Sequence, residues 1–140
     1  MYRRTALSLA AQSGHEAVVK LLLETGKVDV SLKDTMDRWT ALSFAVENGH
    51  KAIVKLLLER DKVDIDMKDI KYRQTPLFLA IKNGHEAVVK LLLETGKVDV
   101  NSKDIYGQTP LSWAEEYENE AVVKLLQSHV LSLLITYILT

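Results

Sequence analysis

The sequence predicts an all-α solenoid of about four stacked helix-turn-helix units. Two observations carry that prediction: one block of sequence recurs at a fixed period, and each recurrence holds two short apolar helical stretches between start and stop signals. His15 to Val30 reads HEAVVKLLLETGKVDV, and the same sixteen residues return from His85 to Val100. His50 to Ile65 gives HKAIVKLLLERDKVDI, and Asn119 to Gln127 gives a shortened copy, NEAVVKLLQ. Thr5, Thr40, Thr75 and Thr109 open the units at spacings of 35, 35 and 34 residues. A period in this range marks a repeat array with no separate domains.

The first helix of each unit starts at its threonine. Thr75-Pro76-Leu77 and Thr109-Pro110-Leu111 place a capping hydroxyl ahead of a proline, which is tolerated at the first helical position. Ala6 and Ala41 replace that proline in the first two units. Gly14, Gly49 and Gly84 end the helix by offering a left-handed backbone, whereas Glu118 in the fourth unit is expected not to. The second helix runs from about Glu16 to Thr25, with leucines spread round its axis. Gly26 and Gly96 stop two of these helices; Asp61 stands at the matching place in the second unit, with an expected penalty of about 1 kcal/mol for a left-handed aspartate. Lys-Val-Asp-Val or a relative follows, then a polar stretch ending in Lys-Asp that reads as an extended loop. Helices of about ten residues are only about 15 Å long, so neither hides its apolar surface without a neighbouring unit.

The stretch Asp104-Ile105-Tyr106-Gly107-Gln108-Thr109-Pro110-Leu111 with Ala114, together with Gly84-His85 and Val88 to Leu93 in another copy, resembles the ankyrin repeat. The resemblance extends from about Tyr2 to Gln127, and the near-identical copies are similar to the ankyrin arrays of large filamentous-fungus signalling proteins. It implies antiparallel helix pairs stacked side by side, joined by β-hairpin-like loops projecting almost at right angles. The units fall at about 2–36, 37–71, 72–105 and 106–129, followed by an apolar segment at 130–140. Several departures from the family pattern stand out. Lys27, Lys62 and Lys97 look like one insertion per unit, and Arg38 and Arg73 occupy the loop position of Gly107, which predicts less regular hairpins there. Ser8, Ser43, Phe78 and Ser112 stand where the family often has histidine, so a customary hydrogen bond must be replaced or absent.

Composition narrows the function. The 140 residues carry 18 basic and 19 acidic side chains, a net charge of −1, so no overall field draws in nucleic acid or an anionic membrane, and neither is the expected partner. Cysteine is absent, which fits a reducing compartment, and no secretory signal opens the chain; an intracellular location, cytoplasmic or nuclear, is expected. His15, His50 and His85 recur once per unit, which favours structure over acid–base catalysis, and the resemblance implies that they bond to backbone near the turn. Stacked units roughly 10 Å apart cannot close a tetrahedral metal site with one histidine each. Glu115, Glu116, Glu118 and Glu120 read as a solvated helix end, and Lys20, Lys55, Lys90 and Lys124 as a solvated ladder. No phosphate loop or nucleophile elbow is present. The expectation is therefore no catalytic, cofactor or metal site.

A binding role has residues to support it. The resemblance implies that loop tips and the concave inner-helix face hold a protein partner. The matching positions are Met36, Arg38 and Trp39; Ile70, Lys71, Tyr72 and Arg73; Ile105, Tyr106 and Gln108; and, at helix ends, Gln12, Glu47, Lys82 and Tyr117. Phe44 and Trp113, by contrast, align with Leu9 and Leu79 as core. The alternative is a structural, self-associating array driven by the tail and by uncapped ends. Val130 to Thr140 is almost wholly apolar and too short for a bilayer span; joined to Asn119 to Gln127 it would be long enough, but Lys124 and His129 would sit inside the span. It is expected to fold over the last unit as a cap, to pair two chains, or to reflect a truncated or irregular gene end. Met1 would lie inside a hairpin, which suggests a fragment of a larger protein or a self-associating chain.

Overall fold

The computed structural model describes residues 3–140; the expected start of the first unit at Met1 and Tyr2 lies outside these. Among the described residues eight helices follow in pairs: α1 (Ala6–Ser13) with α2 (Glu16–Glu24), α3 (Ala41–Glu47) with α4 (Lys51–Leu58), α5 (Pro76–Lys82) with α6 (Glu86–Glu94), and α7 (Pro110–Glu116) with α8 (Glu120–Leu139). The first helices stack in the order α1, α3, α5, α7 and the second helices in the order α2, α4, α6, α8, each pair also packing internally. This is a two-layer solenoid in which every unit touches only its neighbours.

The local chemistry explains the helix starts. Thr5, Thr40, Thr75 and Thr109 are all N-caps with extended backbone. Serine supplies the bonds at three of these starts. In α3 and α7 the threonine hydroxyl accepts the amide of Ser43 or Ser112 while that serine's Oγ accepts the threonine amide, a reciprocal capping box. Phe78 breaks the set: Thr75 has no side-chain cap bond, and its hydroxyl is buried without a partner.

Helix ends depart from expectation at two places. Glu118 takes the left-handed conformation after all, at φ 54°, its amide donating to the Glu115 carbonyl at 3.1 Å, because the α7–α8 turn has the same geometry as the glycine turns. Asp61 does not take it: α4 stops one residue earlier than α2 and α6, with Glu59 as a right-handed C-cap, so the expected strain at Asp61 is avoided.

The core follows the stacking. Leu7, Leu42 and Leu77 occupy equivalent buried positions, as do Val19, Val54 and Val89. Phe44 is core as expected, while Trp113 is half-buried and donates its indole N–H to Asp104 at 3.2 Å. What covers each unit is visible by comparison with the first, where Leu9 is 48% exposed while its counterparts Phe44 and Leu79 are 3% and 4% exposed. At the far end, Glu115 and Gln127 replace the apolar residues found at Ala11, Val46 and Ile81 and at Leu23, Leu58 and Leu93, which gives the fourth unit a polar outer face. α8 continues as one helix of 20 residues; its base packs through buried Val122 and Leu126, and beyond it Leu131, Leu134 and Ile138 are exposed, so the segment does not fold back as a cap. By length and mean hydropathy (1.7) α8 is long and apolar enough to cross a membrane.

Candidate protein-binding rim

Three loops, residues 33–39, 68–74 and 103–108, lie along one edge of the array. Each is built on a buried aspartate. The Asp34 carboxylate accepts the amides of Asp37 and Trp39, both at 3.1 Å. Asp69 accepts those of Tyr72 (2.6 Å) and Gln74 (3.0 Å), and Asp104 those of Tyr106 and Gln108, each at 2.9 Å. The aspartate amide in turn donates to the carbonyl of Trp39, Gln74 or Gln108, closing the loop. This arrangement is why Arg38 and Arg73 do not loosen their hairpins. They adopt φ 61° and 55°, the conformation of Gly107 at 77°, because the aspartate bonds dictate the turn whatever side chain stands there. Sequence reasoning passed over these aspartates as part of a polar stretch; their recurrence at every Lys-Asp pair was the available signal.

Successive loops are tied tip to tip. The Ile70 amide donates to the Asp37 carbonyl at 3.1 Å, and the Ile105 amide to the Tyr72 carbonyl at 2.8 Å. These single cross-loop bonds form no strand among the described residues, so the loops are hairpin-like in course only.

The expected site residues divide into two sets. Met36, Ile70, Ile105 and Tyr106 stand out from the tips at 53%, 56%, 54% and 70% exposure, flanked by exposed Arg38, Lys71 and Arg73. Trp39 and Tyr72 are half-buried instead, on the inner side of the loops. Trp39 meets Phe44 edge-on at 5.1 Å because its ring completes the cover of the core beside it. The ammonium groups of Lys71 and Lys82 lie 4.9 and 5.5 Å from the centroid of the Tyr72 ring, and the tyrosine side chain raises the Lys71 pKa. Trp39, Tyr72, Glu47 and Lys82 line one small depression of about 200 Å³, so loop and inner helix form one continuous surface there. Gln108 bonds Glu116 through its side chain, and Tyr117 is exposed but stacked on Trp113 at 4.5 Å. Gln12 is engaged with Arg4 at 2.6 Å.

The histidines cross between units. His50 Nε2–H donates to the Gln12 carbonyl and His85 Nε2–H to the Glu47 carbonyl, both at 3.0 Å. The acceptor is the end of the preceding unit's first helix, so each ring bridges two units. His15 departs from the expectation: it is exposed, with no preceding unit among the described residues. Among the described residues no group of acidic residues and histidines is arranged to hold a metal.

A search of curated proteins gives no match to the chain. The family model for ankyrin repeats (3 copies) matches residues 2–69 and 62–132, nearly the whole length. With the paired helices, the threonine caps and the tip-to-tip loops in place, the chain belongs to the ankyrin-repeat family.

Proposed function

We propose that this array binds another protein along the rim, through Met36, Ile70, Ile105 and Tyr106 at the tips and through Trp39, Lys71, Tyr72 and Lys82 on the adjoining inner surface. Ankyrin arrays are in general protein–protein interaction modules, and the family is typically non-enzymatic. The observation that carries the reading to these residues is the row of four large apolar side chains, one or two per loop, held in water on a hydrogen-bonded frame. Exposed apolar side chains in an aligned row are poorly hydrated and ready to be covered, and a frame fixed before binding loses little entropy on association. Affinity capture with the full chain as bait, repeated with Ile70, Ile105 and Tyr106 changed to alanine, tests it. The captured partner should fall at least about tenfold while thermal unfolding stays unchanged. Undiminished capture by the folded triple variant would place the interface elsewhere.

A second reading is favoured by one observation, the exposed apolar rod beyond His129 in α8. Its row of large apolar side chains, from Val130 to Leu139, has no cover and supports self-association through that segment. Light scattering on the full chain and on a chain ending at His129 separates the two roles: a full-length oligomer that becomes monomeric on truncation supports self-association, and a full-length monomer excludes it.

A further inference from the structure

The chain carries a net charge of only −1, but its rim is cationic. The loops carry Lys33, Arg38, Lys68, Lys71, Arg73 and Lys103 against Asp34, Asp37, Asp69 and Asp104. Three of those four acids are the buried loop aspartates, whose carboxylates are engaged by backbone amides and turned away from solvent. Asp37 and Asp69 both act on Lys71, and six cations against four acids leave the loops with a net charge of +2. The outward face of the loops is thus a cationic edge on a molecule of net charge −1.

The cations also converge. Arg38 from one loop and Arg73 from the next line a single depression of about 490 Å³ with Lys68, Met67, Ile70 and Asp69. An independent observation comes from the backbone. Both arginines are held left-handed, where glycine is free of strain and every other side chain costs about 1 kcal/mol. The third loop uses Gly107 at this position, so nothing in the loop geometry requires arginine. Strained residues of this kind gather where a ligand is held.

We infer that the rim recognises an acidic, apolar segment of a protein partner, its carboxylates meeting Arg38 and Arg73 and an apolar side chain between them meeting Ile70 and Met67. This deepens the rim-binding function proposed above and rests on it. Adjacent units lie roughly 10 Å apart, so the matching carboxylates fall at about every third residue of a polyproline-II chain, which has about three residues per turn at about 3.1 Å each and so presents them on one face. Guanidinium groups suit such a partner because they bind carboxylates in a two-pronged geometry.

The test is fluorescence anisotropy on the full chain with two labelled peptides, a repeated Glu-Leu-Ser sequence and its Lys-Leu-Ser counterpart, and with a single-stranded oligothymidine. The glutamate peptide should bind at least about tenfold more tightly than the lysine peptide and should weaken as salt rises from about 50 to about 500 mM. The double variant Arg38→Gly, Arg73→Gly should lose at least about tenfold in affinity while unfolding at the same or a higher temperature, which keeps loss of binding distinct from loss of fold. Lys90→Ala, exposed on α6 outside the loops, should change nothing. Failure to bind the glutamate peptide, equal binding of both peptides, an unchanged double variant, or tighter binding of the oligothymidine would each overturn the inference. A captured protein that is lost on changing Ile70, Ile105 and Tyr106 but is indifferent to salt and to the two glycine substitutions would leave rim binding standing and remove only the acidic partner.

Discussion

At Phe78 two residue-scale effects oppose each other. The side chain is fully buried in the stack, yet it displaces the serine that caps the other first helices and leaves the Thr75 hydroxyl without a partner. Phe78→Ser would restore a cap of about 1 kcal/mol and remove a buried aromatic of about 3–5 kcal/mol. Loss of the aromatic outweighs gain of the cap, so the variant should lose roughly 2–4 kcal/mol, read from the midpoint of urea unfolding. Asp66 offers a pH-dependent counterpart. Burial first, then the neighbouring charges of Asp99 and Asp64, raises its pKa above the ordinary carboxylate value, while the Asp99 amide donates to it at 3.1 Å and lowers it in part. A carboxyl with a raised folded pKa destabilises the fold when ionised: the penalty is absent below the unfolded pKa and is complete above the folded one. Asp66→Asn should therefore raise the thermal unfolding temperature at pH 7, and the gain should vanish toward pH 3, where Asp66 is itself neutral. A constant difference across that range would show that charge is not the cause.

Helix ends decide how well each element stops, and here the sequence was only partly legible. Thr5, Thr40 and Thr109 announced the helix starts because a cap is a local interaction between residues three apart, and at Thr75 the following Pro76 gave the signal. The stops were harder to read, because the left-handed turn leaves its mark on sequence only when glycine supplies it. Glu118 adopts it without that mark and Asp61 escapes it, while in the loops Arg38 and Arg73 take the same conformation on the aspartate-bonded turn. At the rim Trp39 is half-buried, its ring turned inward onto Phe44, a contact with no separate signature in a loop sequence. Glu118→Gly should release the strain of the α7–α8 turn and stabilise the chain by about 1 kcal/mol, a later midpoint in urea unfolding. No stabilisation would mean that Glu118 has a compensating interaction of its own.

At the scale of the whole molecule, stability depends on coupling between units, and the His–Gly contact is where that coupling can be isolated. The period of 35 residues made the stack legible, but the partner of each histidine, 38 residues away, was not, since only the superposition of units brings the ring over the preceding glycine. A Cβ added at Gly49 would lie 2.6 Å from His85 Nδ1, and one at Gly14 would lie 2.7 Å from His50 Cε1, inside contact distance. At Gly84 nothing lies within 4 Å, because Asn119 stands in the histidine's place and turns back to accept the Val122 amide at 3.2 Å. All three glycines have left-handed φ, so alanine at any of them costs about 1 kcal/mol of backbone strain. At Gly49 the displaced His85 ring also gives up its bond to the Glu47 carbonyl, worth about 1 kcal/mol. Gly49→Ala should therefore destabilise about twice as much as Gly84→Ala. In a chain already carrying His85→Ala the two alanine substitutions should become equal, because the clash and the bond are both gone. A difference that persisted in that background would locate the coupling in the packed helices and not in the bridge.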